Sequence, residues 1–348
     1  MKRFIIFLLM AALLIPTAAA AQRRKKTTKK PTKPKEEIVE EDPRIQQMLA
    51  STQQVVFIDS IVVNKADILQ HLPLSADCGK LDIANGLGQY INELGDYRLT
   101  TVKESGDSLS RIFTSELIGT NWTSPIRTKG IDSGNYPYMM PDGTTLYFAQ
   151  QGENSIGGYD LFVTRYDAED GTFLRPESLG MPFCSEANDY LYIIDETYQL
   201  GYFVTDRRQP AGKVCIYVFI PTELRKTYVT EAYSDTQLRA LAAINRIADT
   251  WGNGKARKEA LARLDEARQA ESGSRTAQNG QRTEIEELRH KAEVLEKALL
   301  LARNYYAKAD EKERSALSNE ILSGERELEQ LQRDIRQKEK EARNAQYQ

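Results

Sequence analysis

The sequence predicts a multidomain chain with β structure first and α structure after it. Between residues 51 and 221, β-branched and aromatic residues form short runs separated by Gly, Pro, Asp and Asn, which is typical of strands and turns. From residue 283 on, apolar residues recur at heptad spacing among Glu, Lys, Arg and Gln, which is typical of a coiled coil. The 348 residues have room for two or three domains, and the net charge of −3 favours no class of partner.

The N-terminal residues have the pattern of a secretory signal peptide. A short basic start precedes an almost wholly apolar run over residues 4–15, which is too short to span a bilayer. Small residues up to Ala21 favour cleavage before Gln22, and no cysteine follows that could carry a lipid. We therefore expect export to the periplasm, with association with the outer membrane as an option. A retained membrane anchor is the alternative.

Residues 22–50 are predicted to be a disordered linker, basic first and then acidic. Lys and Arg occupy eight positions of residues 23–35, without an acid, and acidic residues dominate residues 36–42. Such a segment cannot bury enough apolar surface to offset the entropy of ordering it. The basic run could contact an anionic surface such as phospholipid headgroups, and a solvated spacer is the alternative.

An internal repeat organises the strand-rich region. One copy spans residues 136–163 and carries the turn Pro141-Asp142-Gly143. A second copy, at residues 201–218, follows 55 residues later, and a degenerate third, at residues 97–114, precedes the first by 49. A period near 50 residues with four short strands is the size of a propeller blade. Residues 51–221 hold about three and a half such units, so an open arc, a small distorted propeller and half of an oligomer all stay open.

The repeat resembles a known family. Residues 136–148 and 157–162 contain Pro-Asp-Gly, Leu-Tyr-Phe and Gly-Gly-Tyr-Asp-Leu-Phe motifs, which are similar to the WD40-like β-propeller repeat. That family includes the Tol-associated periplasmic propeller and many exported envelope proteins of Bacteroidetes. The resemblance covers residues 135–165 and, in part, residues 186–220. It implies a propeller fold with three to four blades here and contacts with envelope proteins, and it implies no single activity.

Helices are predicted after residue 221. A helix capped by Ser234 or Asp235 ends at Gly252-Asn253-Gly254, and a second helix ends at a break over residues 271–274. The coiled coil follows, and its register slips over residues 310–314, which indicates a hairpin turn or a skip in one long helix. A single charged helix in solvent is a further alternative. The predicted seam consists of Ile285, Leu288, Leu295, Leu299, Leu317, Ile321, Leu328, Leu331 and Ile335.

The predicted organisation therefore has five parts. The coiled coil, which is the last part, predicts self-association, because a single helix cannot bury its apolar seam alone. These parts are a signal peptide (1–21), a linker (22–50), a β-propeller-like repeat domain (51–221), short helices (234–271) and a coiled coil (280–346).

No pattern in the sequence predicts catalysis. The two histidines, His71 and His290, have no patterned partner, and no hydrolase, zinc or phosphate-binding motif is present. We therefore predict a protein that is not an enzyme and has neither a cofactor nor a metal. Carboxylates in predicted loops are assigned to turns, with an acid–base pair as the alternative. They are Asp132, Asp142, Asp160, Asp189, Asp195, Glu196 and Asp206.

Five residues are candidates for binding a partner: Arg207, Arg208, Tyr136, Tyr159 and Asp160. The two arginines are predicted to be exposed, whereas the tyrosines are expected to pack between repeats, and Asp160 can bond amides of its own loop.

The three cysteines leave two possibilities open. In an oxidising compartment Cys184 and Cys215 are the preferred pair for a disulfide, with Cys78 left over, and three buried free thiols are the alternative.

The sequence therefore predicts a non-enzymatic scaffold or assembly protein that binds envelope proteins. A glycan- or peptide-binding accessory module is the alternative, and an envelope hydrolase ranks last. Nucleic-acid binding is not expected in this compartment, despite the basic run.

The signal-peptide prediction is tested by the mass of the N-terminal peptide of the protein recovered from its own envelope. We expect that peptide to begin at Gln22. A peptide that begins at Met1 would support the retained anchor and would contradict cleavage.

Overall fold

The structure is a computed structural model that describes residues 42–345, apart from the side chains of residues 274–279, 316 and 344–345. The predictions for the signal peptide (1–21) and for the basic run (23–35) lie outside the described residues. No helix in residues 42–345 combines the length and the hydropathy that a bilayer-spanning segment needs.

The described chain contains fifteen strands and four α-helices, joined by turns and short 3-10 helices. The strands are β1 (Val56–Asn64), β2 (Lys80–Ala84), β3 (Leu87–Ile91), β4 (Tyr97–Lys103), β5 (Ser110–Ile118), β6 (Asn121–Trp122), β7 (Ile126–Arg127), β8 (Asn135–Met139), β9 (Thr145–Gln150), β10 (Asp160–Asp167), β11 (Thr172–Phe173), β12 (Glu177–Ser178), β13 (Asp189–Asp195), β14 (Leu200–Thr205) and β15 (Lys213–Ile220). The helices are α1 (Pro43–Ala50), α2 (Asp235–Ala242), α3 (Lys255–Tyr306) and α4 (Glu311–Ala345).

The strands form three antiparallel sheets, which together we call the β domain. Sheet I has the order β2-β3-β4-β5-β6, with β7 also on β5, and sheet II has the order β8-β9-β10-β11, with β12 also on β10. Sheet III has the order β13-β14-β15-β1, so the first strand of the domain pairs with its last. The predicted order of β structure before helices is confirmed. Residues 42–345 contain no closed barrel and no closed ring of blades, so the propeller stays a prediction.

Each copy of the sequence repeat is the central hairpin of one sheet. The copies at residues 97–114, 136–163 and 201–218 contain the hairpins β4–β5, β9–β10 and β14–β15. The motifs between copies also correspond, because Trp122 and Phe173 both lie in two-residue outer strands of their sheets. The repeat found in the sequence is therefore one sheet.

Residues 80–91 form the start of sheet I. Its strands β2 and β3 form a hairpin in which Asn85 and Gly86 both have positive φ, 53° and 76°. These angles fit a type I′ turn, for which Asn-Gly is the preferred sequence. The signal was present in the sequence, although glycines nearby made the region look irregular.

The predicted linker over residues 22–50 is wrong at its C-terminal end, where α1 is ordered. The side chain of Asp42 caps the first turn, and proline occupies the first helical position. Ile45 and Leu49, one turn apart, are buried against Met181. Two apolar side chains at this spacing are enough to dock a short helix on a preformed surface, whereas its composition alone favoured disorder.

The interior of sheet III is built from aromatic rings. Phe183 lies in the loop before β13, and its ring centroid is 4.8 Å from Tyr192, 5.4 Å from Phe203 and 5.2 Å from Phe219. Burial of each such side chain contributes about 1.5–3 kcal/mol, and the contact between two rings adds about 0.5–1.5 kcal/mol. These rings therefore supply much of the core that α1 and α3 cover.

Helix α3 is one continuous helix of 52 residues, about 78 Å long. The predicted break at residues 271–274 is wrong. Glycine lowers helix stability by about 1 kcal/mol relative to alanine, but it does not by itself end a helix. Packing against α4 stabilises the second half of α3 along its length.

The first turns of α3 attach it to sheet III. Ala260, Leu264 and Ala267 are buried on this side. The Arg257 guanidinium donates to the Ile58 carbonyl at 3.0 Å, and Arg268 pairs with the Asp59 carboxylate at 2.8 Å. The helix therefore leaves the β domain in a direction that sheet III fixes.

Helices α3 and α4 pack side by side in antiparallel orientation, and we call this pair the hairpin. The predicted register slip is therefore a turn between two helices. Ion pairs that cross it join Arg289 to Glu339 at 2.6 Å and Arg303 to Glu325 at 2.7 Å. The predicted seam residues are the less exposed positions of both helices, and Leu299 is buried. The two halves of the predicted seam therefore face each other within one chain.

Gly324 sets the closest approach of the two helices and provides a test of the hairpin. A Cβ at Gly324 would lie 2.8 Å from Leu299 Cδ2, whereas a Cβ at Gly280 would meet no atom within 4 Å. We expect Gly324→Leu to lower the free energy of unfolding by about 1–3 kcal/mol through overpacking. The matched Gly280→Leu should raise it by roughly 0.5–1 kcal/mol through helix propensity. Denaturant unfolding followed by circular dichroism at 222 nm measures both, and equal effects of the two changes would contradict the packing described.

Candidate interaction site

The predicted tyrosines lie between sheets II and III. Tyr136 of β8 is buried, and its ring stands edge-to-face to Tyr159 and to Tyr190, with centroids 5.8 and 5.5 Å apart. Rings in this arrangement attract each other through their quadrupoles and exclude water. Tyr136 is therefore a packing residue between sheets, and Tyr159 packs beside it while partly buried.

A buried amide joins sheet I to sheet II. The Asn135 side-chain oxygen accepts from the Gly88 amide at 2.9 Å, and its nitrogen donates to the Gly86 carbonyl at 2.8 Å. A Cβ at Gly88 would lie 2.6 Å from Tyr136 Cα, so only glycine allows this approach. Asn135 is fully buried, and its bonds match the rule that buried polar groups are paired.

The same device joins sheet II to sheet III. The Asn188 side-chain oxygen accepts from the Tyr159 amide at 3.1 Å, and its nitrogen donates to Asp206 at 2.8 Å. A Cβ at Gly158 would lie 2.0 Å from the Asn188 oxygen. Each joint therefore consists of an asparagine at or directly before the first strand of one sheet and a glycine of the preceding sheet.

Arg207 is buried, and the prediction of its exposure is wrong. Only 4% of its surface is accessible, and its guanidinium donates to the fully buried Asp189 carboxylate at 2.8 Å. The polar segment around it has the composition of a surface loop, but the buried carboxylate needs a cation nearby. Removal of either partner would leave an uncompensated charge in the interior.

Arg208 is exposed, as predicted, but its guanidinium is occupied. It donates to the carbonyl oxygens of Ala243 at 2.5 Å and Ile244 at 2.8 Å, just after α2, and to Asn245 Oδ1 at 3.0 Å. Carbonyl groups at a helix C-terminus lack intrahelical donors, and arginine satisfies them here. Arg208 therefore fixes the segment after α2 to the loop before β15.

Asp160 is buried and bonds backbone amides of its own region, as the sequence predicts. Its carboxylate accepts from the Ile156 amide at 2.5 Å and from the Ser185 amide at 3.3 Å. Burial raises the pKa of Asp160 to about 7, and the nearby Asp189 carboxylate adds to this rise. Asp160 is thus a structural acid that is inaccessible to a partner.

The three cysteines are free and buried, so the preferred Cys184–Cys215 disulfide is absent. The Cys184 thiol donates to the Leu161 carbonyl of sheet II at 3.4 Å, whereas Cys215 belongs to β15 of sheet III. Burial raises the pKa of Cys184 and of Cys78 to about 12, so both side chains are thiols at neutral pH.

A cleft of about 440 Å³ opens between sheets I and II. Tyr97 and Thr114 line it from sheet I, and Met139, Tyr166 and Phe173 line it from sheet II. Its volume lies in the range of small-ligand sites, roughly 300–1,000 Å³. None of the five predicted binding residues lines it. The cleft is formed by strands far apart in the chain. The one sequence feature that could have indicated it is Tyr166, an aromatic residue at a solvent-facing position of β10.

The hairpin carries a second candidate surface, which we call the apolar stripe. It consists of Val294, Ala298, Leu301 and Tyr305, spaced four, three and four residues apart on α3 beside the seam. Leu301 is 70% exposed, Tyr305 56% and Val294 54%. An exposed apolar row on an otherwise charged helix indicates an interaction surface.

Within residues 42–345, no group of three or more His, Cys, Asp or Glu side chains is placed to hold a metal ion. No family model, curated protein or solved structure matches the chain.

The raised pKa of Asp160 gives the β domain a specific pH dependence. Between pH 4 and 7 the folded protein keeps a proton on Asp160 that the unfolded chain releases, so stability falls as the pH rises through this window. We expect Asp160→Asn to flatten the dependence between pH 4 and 7. Chemical denaturation at four pH values measures it.

Asp142→Asn is the matched control for this measurement. Burial raises the pKa of Asp142, but hydrogen bonds from Thr145 and Thr144 outweigh it and hold the pKa below its usual value. Its contribution is lost only at lower pH, so this variant should keep the slope between pH 4 and 7. An unchanged slope in Asp160→Asn would contradict the assignment.

Proposed function

We propose that the protein is a non-enzymatic scaffold or assembly protein of the bacterial cell envelope. It would bind partner proteins through the β domain and a second copy of itself through the hairpin. The N-terminal sequence pattern supports export, and the basic run over residues 23–35 supports a further contact with an anionic surface. Three sheets that derive from one sequence repeat support a propeller-type β domain.

The apolar stripe of the hairpin is the observation that carries this proposal. The two helices of the hairpin already face each other along the predicted seam, so the stripe is apolar surface beyond this intramolecular contact. Leaving these leucine and tyrosine side chains exposed to water costs about 25 cal/mol for each Å² of apolar surface. Cover by another helix would recover it, as in bundles of three or four helices.

A second copy of the hairpin fits the stripe best. A shallow groove of about 350 Å³ is lined by Val294 and Ala298 of the stripe and by Leu295 of the internal seam, so the two surfaces are continuous. Lys291 on α3 and Glu327 on α4 line the same groove with opposite charges. A two-fold axis would place each lysine against the other copy's glutamate, which makes the surface self-complementary.

The assignment as non-enzymatic is supported by the state of the polar groups inside the β domain. Asp160, Asp189 and Asp195 are buried and bonded within the fold, and the Cys78 and Cys184 thiols are protonated at neutral pH. These groups are therefore engaged within the fold.

A glycan- or peptide-binding accessory module is the second candidate function. The cleft between sheets I and II favours it, because aromatic and charged side chains converge there on a concave surface.

Self-association is tested by the mass in solution of the chain from Gln22 on. We expect a dimer for this chain and a monomer for Leu301→Lys, because a charge in the stripe cannot be buried against a second copy. Leu224→Lys is the matched control, since Leu224 is 74% exposed and lies outside the hairpin. Light scattering after size exclusion gives the masses, and circular dichroism verifies that helix content is kept. A monomeric parent chain, or a dimer that Leu301→Lys leaves intact, would overturn the proposed self-association.

A further inference from the structure

The cleft between sheets I and II is made of the side chains that dominate protein interfaces. Tyr97, Tyr166 and Phe173 provide aromatic walls, and Met139 and Met140 lie beside them. Tyrosine, phenylalanine, methionine and arginine are enriched at the centres of protein–protein interfaces, where they fill pockets and exclude water. The lining is therefore suited to an apolar side chain from another protein.

Exposed aliphatic residues extend this surface around the cleft. Ile126 of β7 lines the cleft and is 65% exposed. Leu94 and Leu174 are also exposed, and each is next in sequence to a residue of the lining, Glu93 and Phe173. Ile126 therefore adds exposed apolar surface to the opening of the cleft.

Charges of both signs lie at the cleft and balance each other. Glu93 and Glu116 supply two negative groups, and Arg127 and Lys129 supply two positive groups. In the part of the chain that the structure describes, the side chains of Glu93, Glu116 and Lys129 form no ion pair. A balanced set gives no excess attraction for phosphate or a lipid headgroup, but it can pair with acidic and basic residues of a peptide.

A buried hydroxyl at the cleft lacks a partner. Tyr90 lines the cleft and is fully buried, and its hydroxyl forms no hydrogen bond to any described residue. An unpaired buried polar group costs about 1–3 kcal/mol. The fold leaves this polar group unpaired behind the wall of the cleft.

We propose that this cleft binds an extended segment of a partner protein. The segment inserts one bulky apolar or aromatic side chain at Tyr97 and Tyr166, and residues of both charges flank this anchor. The volume of about 440 Å³ accommodates such a side chain with its backbone and excludes a folded domain. This inference rests on the proposed function in one respect, namely that the β domain holds a protein partner.

Selection from a library of random 12-residue peptides displayed on phage tests this proposal with the chain from Gln22 on as the target. We expect an enriched family with one aromatic or large aliphatic anchor between an acidic and a basic residue. Synthetic peptides of that family should bind Tyr166→Ser and Ile126→Ser at least tenfold more weakly than the parent chain. Leu224→Ser and Val229→Ser are the matched controls, because both change exposed residues outside the cleft and the hairpin and should keep full affinity.

Three outcomes would overturn the proposal. No enriched family, or a family whose affinity the two cleft variants leave unchanged, would remove the cleft as a peptide site. Binding of the trisaccharide of N-acetylglucosamine at the cleft, without peptide enrichment, would assign it to sugars. The mass in solution is measured on the same preparations. A chain that still dimerises but binds no peptide would contradict the cleft proposal and leave the proposed self-association intact.

Discussion

Hydrogen bonds between buried polar side chains and the backbone of the neighbouring sheet are the contacts on which the β domain depends. Asn135 joins sheet I to sheet II, and Asn188 joins sheet II to sheet III. Asp195 of sheet III accepts from the amide and the hydroxyl of Ser75, at 2.7 and 2.8 Å, just before sheet I begins. Each sheet is thus bonded to the others, and apolar packing fills the space that these bonds define. Because an unpaired buried amide or carboxylate is costly, the bonds fix the relative positions of the sheets more narrowly than apolar contacts could.

The two surfaces proposed for partners follow from this arrangement. The joint at Asn135 holds β3 of sheet I against β8 of sheet II, and the cleft is lined by these two strands together with β4, β5, β10 and β11. Sheet III has its outer side occupied by β1 and by the first turns of α3, which gives the hairpin a fixed origin. A rigid β domain with a long helical arm can hold two partners at a defined separation, and this is the property that a scaffold needs.

Local patterns in the sequence predicted the order of elements well, because turns, alternation and heptads act over a few residues. The three repeats, the turn at Asp142 and the seam of the hairpin are of this kind. Sequence reasoning failed where the outcome depends on contacts far along the chain. The sequence around Arg207 has the composition of a surface loop, and only the contact with Asp189 explains its burial. Ile45 and Leu49 are two apolar residues in a polar segment, and only their contact with Met181 explains an ordered helix. The cleft could not be predicted at all, since its walls meet only when two sheets are side by side.

Amine crosslinking in intact cells, read by mass spectrometry, tests the central claim most directly, because two lysines mark the two surfaces. Lys129 lines the cleft, and Lys291 lies beside the apolar stripe. The account predicts crosslinks from Lys129 to defined segments of other envelope proteins. It also predicts crosslinks from Lys291 to Lys291, which can only join two copies. Crosslinks from both lysines to their own chain alone would contradict a scaffold that binds partners at these two surfaces.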